Sequence, residues 1–183
     1  FWIVVMCQVP LATTAEAQAA LTLVEQTIEL AHPVANVSAE KLAKDLQEEA
    51  DSSLTLLFDV RKLEEYEVSH LKRSIRVDPE MTADAFVDSF GASLTGKKVV
   101  LYCSVGYRSS VFLERVQAIA SDADAHSLSN LRGGIFRWYN SGHAVVDSGG
   151  LADRVHPYDR KWEKLLNSRP KQGPKPVKSE SPE

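Results

Sequence analysis

The chain has 183 residues, 44% of them hydrophobic and 25% charged, with a formal net charge of −4. That length suits a single domain with a sizeable core, and the slightly acidic balance argues against a nucleic-acid partner. Cys7 and Cys103, the two cysteines, are too few and too far apart for a disulfide framework, and neither has a second Cys or a close His at zinc-ligand spacing, so neither a metal nor a cofactor is expected.

In chain order, residues 1–7 are strongly apolar and are followed by Ala15-Glu16-Ala17, an A-x-A-like site. This pattern fits the end of a secretory signal peptide whose positive start is missing, or an N-terminal strand or helix packed on the domain. It is too short to span a membrane. The compartment therefore stays open between cytoplasmic and periplasmic or exported. Residues 17–30 have an amphipathic helical pattern, broken at His32-Pro33. A second helix restarts near residue 37 with Ser38 as its N-cap. After a turn at 51–53, residues 54–58 form a buried strand that runs into Asp59-Val60-Arg61. A short helix from 62, a brief strand at 74–77 and a helix over 79–90 follow, with Gly91 as the stop of the last.

Residues 97–120 form the unit around which the rest is arranged. Val99-Val100-Leu101-Tyr102 is a continuous apolar and β-branched run, as in a strand covered on both faces. Cys103 stands where that strand ends. Gly106 lies in the loop after it, and apolar residues from Val111 onward recur at helical spacing. A loop entering a helix aims backbone N–H groups at one spot, and the helix start adds positive partial charge. Such a place favours a thiolate. Arg108 adds a fork of donors suited to an oxyanion. The alternative for Cys103 is a buried structural cysteine, which behaves as a small core hydrophobe.

Beyond this unit come a weak strand at 126–128, a loop at 130–134, a short helix at 135–140 and a last helix over 158–166 with Trp162, Leu165 and Leu166 on its packing face. From 169 the chain is Pro-, Lys- and Ser-rich without apolar periodicity, the composition of a disordered tail. Strands alternating with helices give an α/β domain around a largely parallel sheet. In such sheets ligands bind at the carboxyl ends of the strands. Three loops should then share one rim, carrying Asp59 and Arg61, Cys103 to Arg108, and Arg132 with Gly133 and Gly134. Asp59 also suits a helix cap, and Arg61 a surface ion pair.

Three ordered segments resemble the rhodanese-like family: Phe58-Asp59-Val60-Arg61 with Glu64-Glu65-Tyr66 and Ser69-His70-Leu71; Tyr102-Cys103-Ser104-Val105-Gly106-Tyr107-Arg108-Ser109; and Leu131-Arg132-Gly133-Gly134-Ile135-Phe136-Arg137-Trp138. The residues around His156-Pro157-Tyr158 resemble an extension on some bacterial members. On this resemblance the chain divides into an N-terminal segment (1–36), a rhodanese-like three-layer α/β domain (37–146), a C-terminal helical extension (147–168) and the tail (169–183).

The resemblance implies a sulfurtransferase in which Cys103 takes the outer sulfur of thiosulfate or a similar small anionic donor as a persulfide. A thiol, which includes a protein thiol, or cyanide then removes it. Cys103 would be the nucleophile. Ser104, Val105, Gly106, Tyr107 and Ser109 would line the anion loop, Arg108 would bind the donor, and Asp59, Arg61 and Arg132 would lie at the rim. Related phosphatases and arsenate reductases have one residue more between Cys and Arg than the four here, Ser104 to Tyr107, and that shorter hoop suits a sulfur atom. The second reading is a rhodanese-like persulfide carrier or binding module that does not turn over.

Overall fold

The computed structural model describes residues 14–48 and 54–167. Cys7 and the apolar run at 1–7, the turn at 51–53 and the tail from 169 lie outside the described residues, whereas the A-x-A-like site Ala15-Glu16-Ala17 lies within the first helix. No helix among the described residues is long and apolar enough to cross a membrane.

Five strands, β1 (Asn36–Val37), β2 (Thr55–Asp59), β3 (Ile75–Arg76), β4 (Lys98–Tyr102) and β5 (Ser127–Leu131), form one sheet in the order β1-β5-β4-β2-β3, with every pair parallel. The largely parallel sheet expected from the sequence is thus wholly parallel. β4 is central, and alternation along it divides the core. Val100 and Tyr102 join Leu57 under α1 (Thr14–Ala31), α2 (Ala39–Glu48) and α6 (Gly134–Asn140). Val99 and Leu101 join Phe58 under α4 (Ala83–Leu94) and α5 (Tyr107–Asp122), where Phe86, Phe112 and Val116 complete the opposite layer. The short α3 (Leu63–Val68) connects β2 to β3.

Ser38 caps α2 by accepting from the Lys41 amide at 3.1 Å. α4 departs from the expected bounds at both ends. It starts after Thr82, whose hydroxyl accepts from the Ala85 amide, and it runs through Gly91 to Leu94. Gly91 is not the stop because it is buried within the helix against Val87. β5 extends to Leu131, into the stretch expected to be loop, because Asn130 and Leu131 pair with β1. A hairpin of β6 (Val145–Asp147) and β7 (Gly150–Ala152) had no periodicity to announce it.

The last helix expected over 158–166 reduces to one 3-10 turn, Trp162–Leu165. Tyr158 has φ 68°, which breaks an α-helix at its start. The segment is held by side chains instead. Asn140 Nδ2 donates to the Leu165 carbonyl at 2.7 Å, and Leu165 packs in the same core cluster as Leu21 and Ile28 of α1. The first helix and the C-terminal turn therefore meet on one side of the sheet.

Candidate active site

Cys103 follows β4 directly, and α5 begins at Tyr107, ahead of Val111, the first of the helically spaced apolar residues. The turn between them depends on Gly106, whose φ of 99° puts it in a region that favours glycine. That conformation aims the Gly106 amide back at the Cys103 sulfur, and the N–H donates to Sγ at 3.2 Å. Ser110 donates to the Gly106 carbonyl at 2.8 Å and fixes the turn from below. Ser109 donates to Asn130 Oδ1 at 2.7 Å, while Asn130 Nδ2 donates to Asn36 on β1. The Ser109 side chain is thus buried under the loop as a brace. Asn130 is a supporting residue that no local motif marks.

A second buttress comes from the first turn of α6. Ile135 and Phe136 amides donate to the carbonyls of Cys103 and Ser104 at 2.9 and 3.0 Å. Gly134, at φ 54°, lies so close that a Cβ there would stand 2.3 Å from the Cys103 carbonyl oxygen and 2.7 Å from Ser104 backbone atoms. Backbone cannot yield as a flexible side chain does. Gly134→Ala should cost about 2–4 kcal/mol in strain and overpacking and shift the Cys103 loop. Urea denaturation would check it: stability should fall, whereas a fully stable variant would refute the close fit.

Arg108, one residue into α5, folds back over the loop. Its Nη1 and Nη2 donate to Glu65 Oε2 and Oε1 at 2.6 and 2.7 Å, and Nη2 also reaches Ser104 Oγ at 3.0 Å. Ser104 in turn donates to Glu65 Oε1 at 3.0 Å. Burial opposes the charge on Arg108, but the Glu65 carboxylate and the Cys103 sulfur overcome it and hold the guanidinium above its ordinary pKa. Burial likewise opposes the charge on Glu65, and Arg108 with Ser104 and the Lys62 amide still hold it below the usual carboxylate range. Glu65 is a member of this cluster that sequence reasoning placed in a motif but not in the site. The Tyr158 ring lies over Arg108, with 5.2 Å between guanidinium carbon and ring centroid.

Cys103 is 1% exposed, yet it is not sealed in. It lies in the wall of a cavity of about 650 Å³, with Ser104, Val105, Tyr107 and Arg108 beside it. The remaining wall comes from Leu23, Val24, Thr27 and Ile28 of α1 and from Tyr158 and Trp162 of the C-terminal segment.

The other residues expected at the rim are placed elsewhere. Asp59 and Arg61 are both 0% exposed and pair with each other, Arg61 Nη2 donating to Asp59 Oδ2 at 2.6 Å and to the Ser69 carbonyl at 2.7 Å. Neither lines the Cys103 cavity. Arg132 turns to α1, with Nε 2.8 Å from Glu29 and 3.7 Å from Glu25. Sequence spacing gave no view of Glu25 and Glu29, which hold Arg132. His70 stacks on Tyr66 at 3.9 Å between ring centroids and hydrogen-bonds its carbonyl, a structural tie. Among the described residues, no cluster of three or more His, Cys, Asp or Glu is placed to hold a metal.

Comparison with known proteins gives a consistent picture. The family model of the rhodanese-like domain matches residues 38–141. An adenylyltransferase and sulfurtransferase MOCS3-1 from Drosophila pseudoobscura pseudoobscura is 35% identical over 101 residues, which is 54% of this chain and 22% of that protein. The MOCS3 protein of Drosophila yakuba is 31% identical over the same share of each. The chain thus spans about a fifth of the length of these relatives. Two solved structures share the fold. A thiosulfate sulfurtransferase from Pseudomonas aeruginosa has TM-score 0.53 and 18% identity, covering 81% of this chain and 26% of that one. The BH2092 protein from Bacillus halodurans has TM-score 0.52 and 16% identity, covering 79% and 97%. With its parallel sheet, its Cys103 loop and a family match over more than half its length, this chain belongs to the rhodanese-like domain family.

Proposed function

We propose that the protein is a sulfurtransferase that carries sulfane sulfur on Cys103. The observation that carries the reading is the Gly106 amide donating to Sγ at 3.2 Å, at the head of α5, inside a cavity open to a substrate. The amide hydrogen bond and the start of α5 both direct positive partial charge at the sulfur. Homology to sulfurtransferases of the MOCS3 type points to the same chemistry.

In the first half-reaction the Cys103 thiolate attacks the outer sulfur of thiosulfate. A new S–S bond forms, the old one breaks, and sulfite leaves with the electron pair. Arg108 binds the donor through guanidinium N–H groups not engaged by Glu65 and Ser104, while Ser104, Val105, Gly106 and Tyr107 surround the transferred atom. In the second half-reaction a thiolate or cyanide attacks the outer sulfur of the persulfide, and the electron pair returns to Cys103. This is a ping-pong scheme with one covalent intermediate.

The scheme fixes a stoichiometry. Thiosulfate added without an acceptor should release one equivalent of sulfite per chain and then stop; cyanide should restart release. Steady sulfite release without acceptor, or none with it, would reject the scheme. A burst that cyanide cannot discharge, but a protein partner can, would favour the carrier.

A further inference from the structure

The cavity at Cys103 is larger and more apolar than thiosulfate or cyanide requires. Its far wall is built by segments outside the matched 38–141 domain, α1 on one side and the C-terminal turn on the other. Both present apolar side chains to it: Leu23, Val24 and Ile28 from α1, with Tyr158 and Trp162 opposite. Several are costly to leave in water. Leu23 is 66% exposed, Tyr107 52% and Tyr158 49%, and they surround one opening rather than lying scattered. A volume of about 650 Å³ is that of a small-molecule site.

The charges around the opening are already matched. Arg108 is held bidentately by Glu65. Arg132 and Arg137 line a separate pocket beside Glu25 and bring no charge to this wall, where Arg108 is the charged side chain. A bulky polyanionic acceptor finds little uncompensated positive charge there, whereas an aliphatic or aromatic body finds a wall ready to cover it.

We propose that the sulfur acceptor is a small thiol with an apolar body, and that Leu23, Val24, Ile28, Tyr158 and Trp162 are its specificity determinants. This inference rests on the persulfide reading above. The thiolate of the acceptor enters beside Arg108 and attacks the outer sulfur on Cys103. An acceptor S–S bond forms, the Cys103 S–S bond breaks, and the acceptor leaves as a persulfide with its apolar body released from the α1 wall. No oxidant or reductant is consumed.

The test charges the full chain with thiosulfate and follows single-turnover discharge to ethanethiol, butanethiol and hexanethiol, with mercaptopropionate as the charged comparison and cyanide as the size-independent control. Linear alkanethiols share similar thiol acidity, so a difference among them reports burial of the chain. The discharge rate constant should rise roughly two- to fourfold per methylene, the value for apolar transfer, and mercaptopropionate should fall at least about tenfold below butanethiol. Leu23→Ser and Val24→Ser should flatten the series; Leu23 is exposed enough to change without loss of folding. A flat series in a chain that discharges normally to cyanide overturns this inference alone. So does a rise that persists undiminished in both variants. A dimer seen by sedimentation that Leu23→Ser dissociates, with a flat series, would assign the face to a second copy and overturn it as well. A chain that takes up no sulfur from thiosulfate overturns the persulfide reading and this inference with it.

Discussion

Cys103→Ser should abolish sulfur transfer, lowering turnover by at least about a thousandfold, while the protein stays folded. The serine hydroxyl can accept from the Gly106 amide as Sγ does at 3.2 Å, so the loop keeps its brace. It also keeps the buttress from the Ile135 and Phe136 amides, which acts on backbone carbonyls and not on the thiol. What is lost is the sulfur nucleophile, which forms a stable bond to sulfane sulfur. The check pairs a thiosulfate–cyanide assay with thermal denaturation. An unchanged melting temperature with no transfer places Cys103 at the chemistry. Residual transfer near the original rate would move the nucleophile elsewhere, and Cys7 would then be the thiol to examine.

Asp59→Ala should produce the largest loss of stability, about 3–5 kcal/mol, because it removes one partner from a fully buried ion pair. Arg61 Nε lies 2.9 Å from Asp59 Oδ1, and the Arg61 amide donates to the same oxygen at 3.1 Å. Burial works against the Arg61 charge, and Asp59 restores it, holding the guanidinium above its usual pKa. Without the carboxylate a guanidinium 0% exposed loses the partner that it hydrogen-bonds directly. For a domain of this size the melting temperature should fall by about 10 °C. The double change Asp59→Leu with Arg61→Met should recover most of that loss, since a buried pair replaced whole by apolar side chains is often neutral. If Asp59→Ala melts normally but raises KM for thiosulfate severalfold, the residue acts on substrate and the structural account of the pair is wrong.

The contrast between these two sites explains what the sequence disclosed. The strand, loop and helix around Cys103 are local: apolar β4, Gly106 and the spacing from Val111 announce themselves within twenty or so residues. The parallel sheet followed from the same alternation of apolar runs with helices. The partners of the arginines did not, because they are long-range. Arg108 meets Glu65 across 43 residues, and Arg132 meets Glu29 across 103. Arg132 reads as a rim ligand until the distant carboxylates of α1 are seen to hold it. The same reason hid the cavity wall. Leu23 and Val24 read as one face of an amphipathic helix and Trp162 as core packing, and only the fold sets them across from Cys103. Gly91 misled for a different reason: a helix tolerates glycine where a close neighbour, here Val87, occupies the space a side chain would need.

The central claim is that a sulfur atom resides on Cys103 between two half-reactions. Peptide mapping by mass spectrometry, after thiosulfate treatment under native and non-reducing conditions, tests it most directly. The account predicts one added sulfur on the peptide that contains Cys103, removed by cyanide and absent from the peptide that contains Cys7. An unmodified Cys103 peptide after thiosulfate treatment, or an adduct confined to Cys7, would contradict it.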